Sequence, residues 1–243
     1  THLALKATAD FLRDKSAYLE REVALRTLEV QAIQDVTIMA MTSLAETRDN
    51  ETGNHIRCIQ LYVKALAERL RNHPRFEAVL NERMIELLYK SAPLHDIGKI
   101  GIPDSILLKP GKLTVEEFEV MKTHTTLGRK AIEDAERRLG MRVAFLSVSK
   151  EIAYSHQEKW DGSGYPQGLA GDQIPVSARL MAVADVYDAL INKRVYKAAF
   201  SHDQTCSTIV KGKGTHFDPD MVDAFVDIAE DFRSIALKYP DPE

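Results

Sequence analysis

Residues 2–48 contain neither glycine nor proline, and their apolar positions recur at a spacing that predicts one long helix. Leu5, Leu12, Leu19 and Ile33 share one heptad position, with Ala9, Ser16, Val23 and Val30 four residues after Leu5 and its successors. Such a double row is the seam of a coiled coil, broken here by Arg26 where the repeat asks for leucine. The expectation is a helical stalk over residues 1–36 that makes the chain a homodimer.

Beyond the stalk the pattern alternates between helices and short breaks. Gly53 ends the first segment, an amphipathic helix runs over 54–71 and stops before Pro74, and another runs from about Glu82 to Asp96. Thr114 with Glu117, and Ser201 with Gln204, have the spacing of capping boxes. Asp218-Pro219 sets an N-cap before a proline at the first helical position, which opens what reads as the last helix. Period-2 alternation is nearly absent, so the predicted fold is all-α, with residues 37–243 as a helical domain behind the stalk.

Composition narrows the class. Hydrophobic residues make up 44% and charged residues 28% of the 243 positions, ordinary for a soluble domain with a proper core. No run reaches the roughly 18 apolar residues of a membrane span. Cys58 and Cys206 lack metal-type spacing and read as reduced thiols, which points to the cytoplasm. A net charge of −4 argues against a nucleic-acid polymer as partner, but leaves room for a small anionic substrate met by a few placed cations. The chain opens on Thr1 rather than methionine, and the expectation is that it is a fragment with a segment ahead of it.

Candidate chemistry lies in histidines and acids spread over several helices. Glu51 and His55 are four apart, His95 and Asp96 are adjacent in "PLHDIGKIGIP", and His124 sits in "MKTHTTLG". His156 opens the glycine-rich stretch "SHQEKWDGSGYPQGLAG", and Asp185 lies in the apolar helix "RLMAVADVYDAL". Polar groups on apolar helix faces need partners or a ligand, and His with Asp from separate helices suits a buried metal site in a bundle. Mixed imidazole and carboxylate donors suit Fe, Mn, Zn, Ni or Co, and the absence of cysteine argues against a thiolate zinc site. Two cations about 4 Å apart would yield a bridging hydroxide at neutral pH and clamp an in-line displacement at phosphorus. Taken singly, Asp185 reads equally as a structural hydrogen-bonder, and Glu51 as a first-turn acid. His2, His73, His202 and His216 read as ordinary core or surface histidines.

The segments "HDIGKIGIPDSILLKPGKLTVEEFEVMKTH", "SHQEKWDGSGYPQGLAGDQIP" and "ARLMAVADVYDAL", in this order, resemble the HD-GYP family of bacterial cyclic di-GMP phosphodiesterases. The resemblance runs from about Thr37 to Val226. It implies a helical HD-superfamily fold and hydrolysis of cyclic di-GMP to linear pGpG, and on to GMP if a second cleavage follows. It further implies that His55, His95, Asp96, His124, His156 and Asp185 are metal ligands, with Glu51 as the extra carboxylate of members that carry a third metal. Lys99 would touch the scissile phosphate, Arg194 and Lys197 the other phosphate, and Gly164-Tyr165 would line the pocket near a guanine or the ribose-phosphate ring. A receiver or sensor domain upstream would be typical of the family.

One position departs from the family pattern. Gln157 stands where members carry a second histidine, and a neutral amide is a poor ligand beside imidazole and carboxylate. With the rest of the set intact, the expectation is two divalent metals rather than three. Cyclic GMP-AMP or pGpG as preferred substrate, and a degenerate domain that binds without catalysis, are the alternatives to cyclic di-GMP hydrolysis. A bare dimerisation module would explain the heptads but not the histidines.

Overall fold

The computed structural model describes residues 2–49, 53–192 and 199–240; Glu51, Arg194 and Lys197 lie outside the described residues. The chain divides into two compact units, residues 1–40 and 41–243. Helix α1 (His2–Asp49) supplies the first unit. Its seam residues Leu5, Leu12, Leu19, Val23, Val30 and Ile33 are all exposed. Arg26, at the broken heptad position, pairs with Glu22 and Glu29 on its own helix.

The second unit is helical throughout. In α2 (Gly53–Leu70) the apolar residues Ile59, Tyr62, Val63, Leu66 and Leu70 recur at helical spacing and are fully buried. Helix α3 (Glu82–Ser91) begins at Asn81, whose side chain accepts the Met84 N–H. It ends five residues before the expected Asp96, because Pro93 has no N–H to continue the ladder. The chain tightens instead into two 3-10 turns, Ala92–Leu94 and Ile97–Gly101. Short α4 (Asp104–Leu107), α5 (Val115–Lys122), α6 (His124–Leu139) and α7 (Ala144–Ser155) follow. After the glycine-rich stretch come α8 (Val176–Ile191), α9 (His202–Lys211), α10 (Pro219–Asp227) and α11 (Ala229–Lys238).

Local signals behave as their chemistry requires. Thr114 and Glu117 close a capping box on α5, Ser201 and Gln204 another on α9, and Asp218 caps α10 ahead of Pro219. Helix α10 is not the last, however; the break at Ile228 is followed by α11, whose Phe232 enters the core. No strand forms among the described residues; two isolated bridges occur, one of them joining Asp161 to Ala170. The core centres on aromatic rings of α2, α8, α10 and α11. Tyr62 stacks on Phe232 at 4.5 Å, and Tyr187 and Phe225 meet Phe232 edge-on at 5.0 Å. Helix α8 is buried on almost every side, so an acid on it has to be satisfied from within the fold.

Candidate metal centre

Five elements bring the predicted ligands together. His55 sits in the first turn of α2, His95 and Asp96 between the two 3-10 turns, and His124 at the start of α6. His156 follows α7 as its C-cap, and Asp185 lies in α8. The four histidines are each at most 4% exposed.

Backbone partners orient three of these rings. His95 Nδ1 lies 3.0 Å from the Ala92 carbonyl, His124 Nδ1 2.8 Å from Met121 and His156 Nδ1 3.1 Å from Ile152. A carbonyl only accepts, so each Nδ1 carries the proton and donates, and each Nε2 presents its lone pair. His55 is held by a carboxylate instead: its Nδ1 lies 2.6 Å from Asp188 Oδ2. Carboxylate or carbonyl support of the far nitrogen is how metal-binding histidines are oriented.

The ligand atoms fall into two groups, His55–His95–Asp185 and Asp96–His124–His156, within each of which they lie no more than 4.8 Å apart. Asp96 faces both. Its Oδ1 lies 3.3 Å from His124 Nε2 and 3.4 Å from His156 Nε2, and its Oδ2 lies 3.3 Å from His95 Nε2. Lys99 Nζ stands 2.9 Å from the same Oδ2.

The donor set fits divalent transition metals. Among the described residues, His95 Nε2 and Asp96 Oδ1 are fully buried with no hydrogen-bond partner, a cost that a bound cation removes. His124 Nε2 and His156 Nε2 face each other at 3.4 Å, where two lone pairs repel unless a proton or cation lies between them. Burial brings the His124 imidazole down to about 4, so at physiological pH it is neutral and its Nε2 lone pair is available to a cation. Burial alone would raise the Asp96 carboxyl, but Lys99 and the neighbouring histidines outweigh it and hold Asp96 well below the usual carboxylate range.

The glycine-rich stretch forms a wall beside the second group. Tyr165 N–H donates to the Gln157 carbonyl at 3.1 Å, and the Tyr165 ring lies 6.3 Å from that of His124. A side chain at Gly164 would meet Lys159 N at 2.3 Å and Glu158 Cα at 2.5 Å, so only glycine lets the chain fold back this closely. Trp160 packs the base of the loop, 5.5 Å below the guanidinium carbons of Arg75 and Arg179.

Three residues escape a reading by motif. Asp188, three positions after Asp185 and equally anomalous on an apolar helix, holds His55. Glu158 is 2% exposed, and its two oxygens accept the N–H groups of Gln167 at 2.8 Å and Leu169 at 2.9 Å. Gly98 brings the second 3-10 turn against α6; a Cβ there would lie 1.8 Å from the His124 carbonyl oxygen and 2.5 Å from Gly128 N.

The HD-domain family matches residues 44–221. A protein of Vibrio cholerae named "Probable cyclic di-GMP phosphodiesterase" is 54% identical over the whole chain, which spans 55% of it. A second from the same organism, named "Cyclic di-GMP phosphodiesterase", is 59% identical over 88% of the chain and 43% of its own length. The chain thus spans about half the length of these curated relatives. A solved structure of a cyclic GMP-AMP specific phosphodiesterase from Vibrio cholerae superposes over 84% of this chain and 50% of its own, with a TM-score of 0.54 and 20% identity, a likeness of fold. No described helix is long and apolar enough to cross a membrane.

Proposed function

Because the chain belongs to the HD-domain family, and within it to the HD-GYP proteins, we propose that it is a metal-dependent phosphodiesterase that hydrolyses cyclic di-GMP to linear pGpG. The observation that carries this reading is Asp96, whose two oxygens face two separate His-rich donor groups. His55, His95 and Asp185 would hold one divalent ion, and Asp96, His124 and His156 the other, with Fe, Mn, Ni and Zn all compatible with the donors. When bound, such a pair activates water at neutral pH and offsets charge on the phosphoryl oxygens.

The chain's own groups do the rest. Asp96 is ionised at every physiological pH, so its two oxygens remain donors. Lys99 carries its ammonium beside the same carboxylate, where a scissile phosphate would find a charge-assisted hydrogen bond. Arg194 and Lys197 would hold the second phosphate, and Gly164 and Tyr165 would form the wall beside it. Glu51 would serve a third ion only in a fuller ligand set than Gln157 allows.

We further infer a domain division at residues 1–36 and 37–243, a homodimer through the exposed seam of α1, a receiver or sensor domain upstream, and a cytoplasmic setting. The coiled-coil spacing supports the dimer.

Purified protein loaded anaerobically with Mn(II) or Fe(II) would be given cyclic di-GMP and, separately, cyclic GMP-AMP, with products resolved by chromatography. The reading expects metal-dependent turnover that Asp96→Ala abolishes, with cyclic di-GMP preferred. Faster turnover of cyclic GMP-AMP would reassign the substrate. Bound metal with no turnover of either nucleotide would make the domain a binding module.

A further inference from the structure

The donor groups and cations account for the metals and phosphates of such a substrate, but they leave its bases without a contact. A purine is recognised through its flat π face, stacked on an aromatic side chain, whatever hydrogen bonds are added at its edges. The described residues whose rings pair with Tyr165 are His124 and Phe118.

Phe118 lies on α5, and its ring meets Tyr165 edge-on, centroids 6.1 Å apart and planes at 85°. Two rings at right angles make a corner, in which a base stacked on one face abuts the other ring. A single exposed apolar residue is ordinary and by itself says nothing. Phe118 is 46% exposed while paired with a residue of the site, so part of its surface remains open to a ligand. Lys122 Nζ lies 5.7 Å from the Phe118 centroid and 5.8 Å from that of Tyr165, and it is held there by Glu119 Oε1 at 2.7 Å, an exposed carboxylate that an incoming phosphate can displace.

The corner is held rigidly against the metal centre. The Thr114–Glu117 capping box fixes the start of α5, and Lys109 pairs with Glu117 there. At the other end Thr123 closes α5 and opens α6, so Lys122 is two residues from His124. We propose that Phe118 forms, with Tyr165 and under Lys122, a purine-stacking subsite beside the Asp96–His124–His156 group. The proposal rests on the cyclic-dinucleotide reading of the site.

Steady-state kinetics on cyclic di-GMP, with metal content measured in parallel, test it in the whole chain. Phe118→Leu keeps the apolar volume and removes the π face. Its KM should rise about tenfold, the loss expected of one base stack, with kcat and bound metal unchanged. Phe118→Trp should restore a KM at or below that of the native chain. An unchanged KM in the leucine variant overturns the subsite and leaves the hydrolase reading standing. A fall in kcat together with lost metal also overturns it, since that is the mark of a packing role. Native protein that binds metal but turns over no cyclic dinucleotide overturns the hydrolase reading, and the subsite with it.

Discussion

His55 Nδ1 and Asp188 Oδ2 stand 2.6 Å apart between α2 and α8, in surroundings where both side chains are almost fully buried. The contact joins the first turn of one core helix to the last turn of another. It also orients the His55 imidazole, which groups with His95 and Asp185. Asp188 therefore positions a candidate donor, His55, without belonging to either donor group.

Replacing Asp188 by Asn keeps the shape but weakens this support. The affinity of the His55–His95–Asp185 group for Mn(II) should fall about 10–100-fold, the usual cost of losing such a carboxylate. Competition with a chromophoric chelator measures it. Unaltered affinity of both groups would show that packing alone orients His55.

Gly98→Ala tests how closely the second 3-10 turn must lie on α6. The added methyl would sit 1.8 Å from the His124 carbonyl oxygen, so backbone has to move. Because that turn follows Asp96 directly, the shift should separate Asp96 from His124. We expect a loss of about 3 kcal/mol in chemical denaturation, at the upper end for overpacking, and one bound metal fewer per chain.

Much of this architecture is legible in the sequence, and the residues show why. The capping boxes at Thr114 and Ser201 depend on neighbours three residues away, so spacing alone reveals them. The candidate donors that the fold gathers are legible because a metal centre tolerates few residue types at few spacings. The end of α3 is set by Pro93, a local signal that outweighs the apolar pattern continuing past it. Asp188, Glu158 and Gly98 act through partners 133, 9–11 and 26–30 positions away, or across a loop closure, which no periodicity encodes. Phe118 reads as an ordinary apolar helix position until Tyr165 is seen beside it.

Glu158 should govern the order of the glycine-rich loop. Its carboxylate accepts two backbone N–H groups that flank Gly168, and removing it leaves both without this acceptor. Glu158→Ala should cost about 2–4 kcal/mol of stability, since hydrogen bonds to charged groups are the stronger kind. Limited proteolysis should then cut between 166 and 170. Glu158→Gln keeps one acceptor oxygen and should recover about half of the loss.

The last prediction concerns the charge cluster at the loop's far end. Arg179 donates to Asp218 at 2.8 Å and to Asp172 at 3.0 Å, and Arg75 reaches the same two acids. Asp218 is fully buried and also caps α10, whereas the Asp172 side chain is 75% exposed. Asp218→Ala takes the buried carboxylate partner from Arg179, leaving it the exposed Asp172, and should cost about 3–5 kcal/mol; Asp172→Asn should cost under about 1 kcal/mol. Arg75 nevertheless holds the Asp172 carboxyl below its ordinary value. A carboxyl depressed in the folded state stabilises the fold above its unfolded pKa, about 3.9, and loses that contribution as pH falls through the folded value. The stability gap between the native chain and Asp172→Asn should therefore be constant from about pH 5 to 7 and close below about pH 4. Urea denaturation across that range decides it, and a gap that persists at pH 3 would mean that Asp172 acts through packing rather than charge.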